Sequence, residues 1–182
     1  MLPHLRVCCT GSIGIIAIPQ LILTLRLVYR TDVTCILTPS ARRFITEHTF
    51  TAITGRKVTT ELTEHDLLIQ SDIPLLIAPA SAGALAAMAL GRADHLAARL
   101  VMSSTSPVFI CPAMNAAMWD KPPITRAISS LRDCGYFIIG PGEGVEVETL
   151  SPSKSSLADA DTIVRTLIAE LPWSQRSSQG QP

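Results

Sequence analysis

The sequence predicts an α/β fold, a three-layer domain built on a doubly wound parallel sheet. Apolar runs of strand length recur along the chain without polar alternation, which is typical of strands that are covered on both faces. Segments of helical spacing or composition separate these runs, and such alternation is typical of parallel sheets. The predicted strands are residues 5–9, 33–37, 75–78, 108–111 and 137–139.

Helices are predicted between the strands. The first is indicated by apolar residues three or four positions apart, which are Ile15, Ile18, Ile22, Leu25 and Tyr29. The further helices are residues 81–90, 123–131 and 157–171. The length suits a single domain, which we place at residues 1–172, and the polar residues 173–182 predict a disordered tail.

The charge balance bears on the partners. Fifteen Lys and Arg residues balance fifteen Asp and Glu residues, so the formal net charge is zero. We therefore expect no nucleic acid and no membrane as partner, since both attract basic proteins. Only 16% of the residues are charged and 47% are apolar, so few surface charges keep copies of the chain apart. This composition predicts a homo-oligomer.

The cysteines indicate the redox environment. They are Cys8, Cys9, Cys35, Cys111 and Cys134, an odd number without CxxC or disulfide-scaffold spacing. The pattern favours a reducing, cytoplasmic location in which these residues serve as small core side chains. The four histidines show no paired spacing of the kind that metal ligands have, so we expect no metal.

Parallel sheets bind ligands beyond the carboxyl ends of their strands, so the residues that follow each strand are candidate site residues. Residues 10–14, Thr-Gly-Ser-Ile-Gly, can bind a phosphate through backbone N–H groups, or can form a tight turn. Residues 38–42, Thr-Pro-Ser-Ala-Arg, lack the acidic residue of a dinucleotide site, which favours a mononucleotide phosphate. Ser40 can alternatively cap the helix that begins near Ala41.

The third and fourth strands are followed by small and amide side chains. Residues 79–84, Pro-Ala-Ser-Ala-Gly-Ala, let a flat ring approach the backbone, or serve helix packing. Residues 112–119, Pro-Ala-Met-Asn-Ala-Ala-Met-Trp, contain Asn115, whose amide needs partners if it is buried. It can alternatively close the turn. His65 stands alone among acidic residues, and an isolated histidine is usually a surface or core residue.

The order of these segments resembles a known family. GSIG, TPSARRFI, a histidine, PASAGA and PAMNAAMW resemble the homo-oligomeric flavin-containing cysteine decarboxylases. That family includes phosphopantothenoylcysteine decarboxylases and enzymes that decarboxylate the C-terminal cysteine of ribosomally made peptides. The resemblance covers about residues 5–140, and PAMNAAMW fits the PxMNxxMW signature at every fixed position. Gly83 departs from the family, which usually has Asn there.

The resemblance implies a Rossmann-like flavoprotein fold, FMN as the cofactor and specific site residues. The implied cofactor-binding residues are Gly11, Ser12, Ile13, Ser40, Ser81, Ala82, Gly83 and Ala84. The implied substrate-binding residues are Ala113, Met114 and Asn115, and the implied catalytic residues are His65 and Asn115. Family members form trimers with the flavin at the subunit interface, sometimes four trimers in a dodecamer.

The absence of a cysteine after the fifth strand favours one branch of the family. Phosphopantothenoylcysteine decarboxylases use a cysteine after the fifth strand as a proton donor in a final reduction, and here no cysteine follows Cys134. We therefore expect oxidative decarboxylation of a peptide's C-terminal cysteine to an aminoenethiol, with residues 140–150 as a flap or a passive connection. The alternatives are a phosphopantothenoylcysteine decarboxylase of coenzyme A synthesis and a non-catalytic flavin-binding regulatory protein.

Overall fold

The computed structural model describes residues 2–61, 63, 66, 70–146 and 151–172. Five parallel strands form one sheet in the order β2-β1-β3-β4-β5. They are β1 (Leu5–Cys9), β2 (Val33–Leu37), β3 (Leu75–Ala80), β4 (Val108–Pro112) and β5 (Phe137–Ile138). The predicted parallel α/β fold is confirmed, and the strand order reverses beside β1, where sheets of this kind have their ligand crevice.

Helices cover both faces of the sheet and bury two apolar clusters. On one face lie α1 (Ile18–Leu27), α2 (Glu47–Thr54) and α7 (Ala160–Glu170). On the other face lie α3 (Ala82–Ala89), α4 (Leu96–Ser103) and α6 (Pro122–Asp133). Burial on both sides explains why the strands read as continuous apolar runs.

Shorter elements complete the fold near the carboxyl ends of the strands. They are the 3₁₀ turns Ile13–Ala17 and Ala41–Arg43, the one-turn helix α5 (Ala116–Trp119), and the antiparallel hairpin of β6 (Gly142–Glu146) and β7 (Ser151–Ser156). Within the described residues, no helix combines the length and the apolar character needed to cross a membrane.

Several of these elements differ from the sequence prediction or were missed by it. The chain after β1 first forms a 3₁₀ turn, and α1 begins only at Ile18, with a proline in its first turn. The last helix begins at Ala160 rather than at residue 157, because the Asp159 carboxylate accepts the backbone N–H of Thr162 at 2.8 Å and caps it there. The β6–β7 hairpin was expected only as a flap or a connection.

A buried threonine joins β1 to β3 at the crevice. The Thr10 hydroxyl donates to the carbonyl of Pro79 at 2.8 Å and accepts the backbone N–H of Ser81 at 2.8 Å. Thr10 is fully buried, and its backbone N–H also donates to the Pro79 carbonyl at 3.1 Å. This side chain therefore fixes the two loops that face each other across the crevice.

We expect Thr10→Val to lower the free energy of unfolding by about 1 kcal/mol, because it leaves the Ser81 N–H without a partner, whereas the Pro79 carbonyl keeps the backbone N–H of Thr10. Thr31→Val is the matched control. Thr31 is also buried, but among the described residues its hydroxyl has no hydrogen-bond partner, so its loss should be neutral or stabilising. Urea unfolding measures both, and equal destabilisation by the two variants would contradict the role of the Thr10 bridge.

Candidate active site

A cleft of about 670 Å³ opens at the carboxyl ends of the strands, between the five-stranded sheet and the β6–β7 hairpin. Its volume lies in the range that cofactor sites have. The lining residues come from four places: the loop after β1, the starts of α3 and α5 after β3 and β4, Phe44, and the hairpin. Loops after the strands and a separate hairpin therefore enclose one space.

The loop after β1 presents unpaired backbone donors to the cleft. In the part of the chain that the structure describes, the N–H groups of Gly11, Ile13 and Gly14 have no acceptor. Ser12 precedes the 3₁₀ turn, yet its hydroxyl makes no cap hydrogen bond. Three free N–H groups and a free hydroxyl in one short loop can bind the oxygens of a phosphate.

Gly11 is the point where the first two loops touch. A Cβ on Gly11 would lie 2.6 Å from the Cβ and 2.8 Å from the Oγ of Ser40, a distance that side chains do not tolerate. Only glycine therefore lets the loop after β2 approach the loop after β1. Ser40 does not line the cleft itself but stands directly behind Gly11.

The capping alternative for Ser40 is wrong. The Ser40 side chain caps nothing, and Thr38 provides the hydrogen bonds instead. The Thr38 hydroxyl accepts the N–H of Ala41 at 3.3 Å, donates to the carbonyl of Cys9 at 3.2 Å, and lies 3.1 Å from the Ser40 Oγ. Thr38 thus holds Ser40 in place against β1.

The residues after β3 form the part of the cleft wall next to the loop after β1. Ser81, Ala82 and Gly83 line the cleft, and Ser81 caps α3 by accepting the N–H of Ala84 at 3.4 Å. Ala84 itself is fully buried and does not line the cleft, since it packs in the core behind Ser81. At Gly83 a Cβ would meet nothing within 4 Å, so the missing amide leaves open space.

Asn115 stands at the start of α5 with one half of its amide already used. Its Oδ1 accepts the backbone N–H of Ala117 at 2.8 Å, so the turn-closing role is real. This bond orients the side chain and leaves the amide N–H₂ without a partner among the described residues. Ala113, Met114 and Asn115 all line the cleft, so the amide can donate to a bound anion.

The hairpin closes the remaining side. Glu143, Gly144, Val145, Ser156 and Leu157 line the cleft. A Cβ on Gly144 would lie 2.6 Å from the Ser156 Oγ. The glycine therefore lets β6 lie tightly against the residues that lead into α7.

The cleft has little charge and no thiol. Glu143 is the one charged residue among the described residues that line it. Cys8, Cys9, Cys35 and Cys111 are buried in the core, as predicted, and burial raises the pKa of Cys8 and Cys35 to about 12. These thiols stay protonated and inert. Cys134 is exposed, so the prediction that it is a core side chain is wrong, and it does not line the cleft.

Several apolar side chains at the cleft are open to solvent in the single chain. Of the nine exposed large apolar residues in the described part of the chain, five line the cleft, and these are Ile13, Ile16, Phe44, Met118 and Val145. Exposed apolar surface concentrated at one site indicates a binding surface. His65 lies outside the described residues.

Comparison with known proteins identifies the family. The sequence profile of the Flavoprotein family matches residues 2–171. The chain belongs to the Flavoprotein family. The prediction of a flavin cofactor is thereby confirmed. The cleft fits a flavin nucleotide, because the loop after β1 offers free backbone N–H groups to a phosphate and the segment after β3 contributes small residues.

Individual relatives show which proteins of this family the chain resembles. CoaBC of Bacillus subtilis (strain 168), a bifunctional protein of coenzyme A biosynthesis, is 34% identical over 151 residues, which are 78% of this chain and 36% of CoaBC. The flavoprotein therefore spans about a third of that relative's length. The crystal structure of SpaF, an FMN-dependent cysteine decarboxylase, matches with a TM-score of 0.78 at 31% identity, over 92% of this chain and 96% of SpaF.

A second solved structure supports the same class. TvaF, an FMN-dependent cysteine decarboxylase from thioviridamide biosynthesis, matches with a TM-score of 0.67 at 27% identity, over 78% of this chain and 91% of TvaF. The resemblance drawn from the sequence motifs is therefore confirmed. Both solved structures, SpaF and TvaF, are FMN-dependent cysteine decarboxylases.

Sequence reasoning missed three residues that build the site. Thr10 and Thr38 position the two phosphate-side loops, and Glu143 supplies the charge of the cleft. A polar residue directly after a buried apolar run was the available signal for both threonines, because such a position requires a hydrogen-bond partner. Nothing in the sequence indicated that Glu143 faces the cleft.

We expect Gly11→Ala to weaken FMN binding by about 10-fold, because the new methyl group must displace Ser40 and with it the phosphate-side loop. Ser40→Ala is the matched variant. It keeps the Cβ and removes only the hydroxyl, so it shows the effect of losing the Ser40 hydroxyl without crowding the contact between Gly11 and Ser40. Titration of the apoprotein with FMN, followed by flavin fluorescence, measures both. Unchanged affinity in Gly11→Ala would refute the role of this contact.

Proposed function

We propose that the protein catalyses the FMN-dependent oxidative decarboxylation of the C-terminal cysteine of a peptide, releasing an aminoenethiol, in the biosynthesis of a modified ribosomal peptide. The observation that carries the proposal is the shared space of the Gly11–Gly14 loop and Asn115. One wall suits a cofactor phosphate and the other presents an amide to a substrate carboxylate. SpaF and TvaF support the chemistry, since both are FMN-dependent cysteine decarboxylases.

Each part of the cleft has a proposed role. Gly11, Ser12 and Ile13 hold the FMN phosphate with Ser40 behind them, and Ser81, Ala82 and Gly83 lie along the rest of the cofactor. When bound, FMN supplies the electron acceptor for oxidation of the cysteine. The Asn115 amide N–H₂ donates to the cysteine carboxylate, and Ala113 and Met114 contact the substrate beside it.

His65 is proposed as the second catalytic residue. It takes the thiol proton or orients the thiolate, a role suited to a side chain that titrates near neutral pH. No cysteine lines the described cleft, and no cysteine follows Cys134 in this sequence. This supports a reaction that ends at the oxidised product, because the described cleft lacks the thiol that would donate a proton in a reduction to the saturated thiol.

The proposal includes assembly of the protein as a trimer or a multiple of three. Five exposed apolar side chains around the cleft support it, since a second copy that covers them would also enclose the cofactor. Light scattering of the flavin-loaded protein measures the mass. A stable monomer with full flavin occupancy would contradict this part of the proposal.

The substrate class is tested with three substrates offered separately to the FMN-loaded protein. They are a short peptide that ends in cysteine, the same peptide amidated at its C-terminus, and phosphopantothenoylcysteine. We expect mass loss only from the peptide with a free C-terminal carboxylate. The amidated peptide is the matched control, because it keeps the thiol and removes the group that Asn115 binds.

Each other outcome has a defined meaning. Turnover of phosphopantothenoylcysteine alone would assign the protein to coenzyme A synthesis, which the similarity to CoaBC makes the main competing function. A yellow protein that turns over none of the substrates would instead point to a non-catalytic flavin-binding protein. Either result would overturn the proposed peptide substrate.

A further inference from the structure

Glu143 gives the cleft a charge that its proposed chemistry does not use. We propose that the Glu143 carboxylate selects peptides with a cationic side chain in the two residues before the C-terminal cysteine, and disfavours acidic ones. The inference rests on the proposed peptide substrate and adds a specificity-determining residue to it. Its basis is the placement of Glu143 on the hairpin and the absence of other charges on the described cleft walls.

The backbone around Glu143 is held in place. A Cβ on Gly142 would lie 2.3 Å from the carbonyl oxygen of Leu157, and a Cβ on Gly144 would lie 2.6 Å from the Ser156 Oγ. Both neighbours of Glu143 must therefore be glycine for β6 to pack this closely. The tight contact fixes where the strand, and with it Glu143, stands at the cleft.

The hairpin is irregular at the same residue. Gly142 pairs with Ser156 and Gly144 pairs with Ser153, so Glu143 alone on β6 faces two residues on β7. An extra residue on one strand is a β-bulge, and bulges re-aim side chains next to binding sites. Glu143 lines the cleft at this bulge.

The other described lining residues provide no compensating charge. The polar ones are the hydroxyls of Ser12, Ser81 and Ser156 and the amide of Asn115, and the rest are glycine or apolar. The cleft walls therefore offer no cation to a phosphate or carboxylate of the substrate near the hairpin. A lysine or arginine side chain there meets an attractive charge, and an aspartate or glutamate meets a repulsive one.

The test uses matched peptides that end in cysteine and differ at one residue, which is Lys, Gln or Glu, at either of the two preceding positions. Binding to the FMN-loaded protein is followed by the visible absorbance of the flavin, and kcat/KM by product mass. At low salt we expect the affinity and the kcat/KM of the Lys peptides to exceed those of the Glu peptides by about 5- to 30-fold. Glu143→Gln should reduce this ratio to below about 2-fold, as should high salt, since screening weakens exposed charge pairs.

Two further variants are controls. One tests the effect of net charge alone, and the other tests the effect of a lysine on the neighbouring strand β7. Glu170→Gln removes the same charge at the far end of α7, outside the cleft, and should leave the ratio unchanged. Lys154 lies on β7 between the residues that pair with Gly142 and Gly144. If the wild-type protein shows no charge preference and Lys154→Gln creates one, Lys154 neutralises Glu143 and the proposal is overturned.

The outcomes separate this inference from the proposed function. Peptides that are decarboxylated without charge preference would overturn the role of Glu143 and leave the proposed function standing. Peptides that bind with the expected preference but lose no mass would support the role of Glu143 and overturn the decarboxylase assignment. A preference that survives in Glu143→Gln would also overturn the inference.

Discussion

Replacing Asn115 by aspartate is expected to lower kcat/KM by at least about 100-fold while FMN stays bound. The structure makes this substitution selective. The Oδ1 of Asn115 accepts the Ala117 N–H at 2.8 Å, and an aspartate oxygen can accept the same bond, so the cap of α5 is kept. What changes is the other half of the side chain, where a negative oxygen replaces the N–H₂ donor and repels the substrate carboxylate.

The measurement compares Asn115→Asp with Asn115→Ser, which can also cap the helix but carries no charge. We expect the serine variant to lose less activity than the aspartate variant, and both to keep the flavin spectrum and thermal stability. Near-wild-type turnover in Asn115→Asp would show that the amide does not contact the carboxylate. A loss of flavin in both variants would show instead that Asn115 serves the cofactor.

The second large effect concerns the end point of the reaction. Without oxygen, one equivalent of a peptide ending in cysteine should remove the visible absorbance of the protein solution, and the reaction should then stop. The product should be lighter than the peptide by CO₂ and two hydrogens. The reason is the absence of a thiol on the described cleft walls and after Cys134 in this sequence, which leaves no thiol to supply the proton that return of the electrons from the flavin to the product requires.

Admission of air is the control for this experiment, since it should restore the yellow colour and allow further turnover. A product that has lost CO₂ alone, with the colour retained under anaerobic conditions, would make the oxidative assignment wrong. That redox-neutral outcome is the one expected of a phosphopantothenoylcysteine decarboxylase.

Much of the fold could be predicted because parallel strands buried on both faces are continuous apolar runs in the sequence. The first two strands have the predicted bounds, Leu5–Cys9 and Val33–Leu37. The third runs on to Ala80 and the fourth to Pro112, since parallel pairing continues through residues that are small or proline. Sequence periodicity follows burial, and burial here continues to the residues where the cleft begins.

Two helices escaped prediction for different reasons. The α2 segment, Glu47–Thr54, contains three threonines and buries only Phe50 and Thr54, so neither propensity nor periodicity indicates a helix. The α4 segment, Leu96–Ser103, did carry a signal, because Ala97, Leu100 and Val101 form a buried stripe. His95, the residue that precedes this helix, makes no side-chain cap, so the usual start signal was missing.

The site was predictable where a motif marked it and not where tertiary contact created it. Ser12, Ser81 and Asn115 were found at strand ends, and all three line the cleft. Ala84 was predicted to bind the cofactor because it belongs to the same motif as Ser81, although the turn of α3 points it into the core. The contribution of Glu143 depends on a hairpin whose strands, rich in glycine and serine, have no strand-like composition.

The cleft draws its two halves from separate parts of the chain. The phosphate-side loops are joined to the five-stranded sheet through Thr10 and Thr38. Glu143 and Val145 instead belong to a two-stranded hairpin that, in the described part of the chain, pairs with no other strand. Substitutions of the exposed side chains of Glu143 and Val145 therefore remove no hydrogen-bond partner of Thr10 or Thr38. On the proposed function, substrate choice can diverge among descendants of one ancestor through these exposed hairpin side chains, while selection for cofactor retention acts on the loops after β1 and β2.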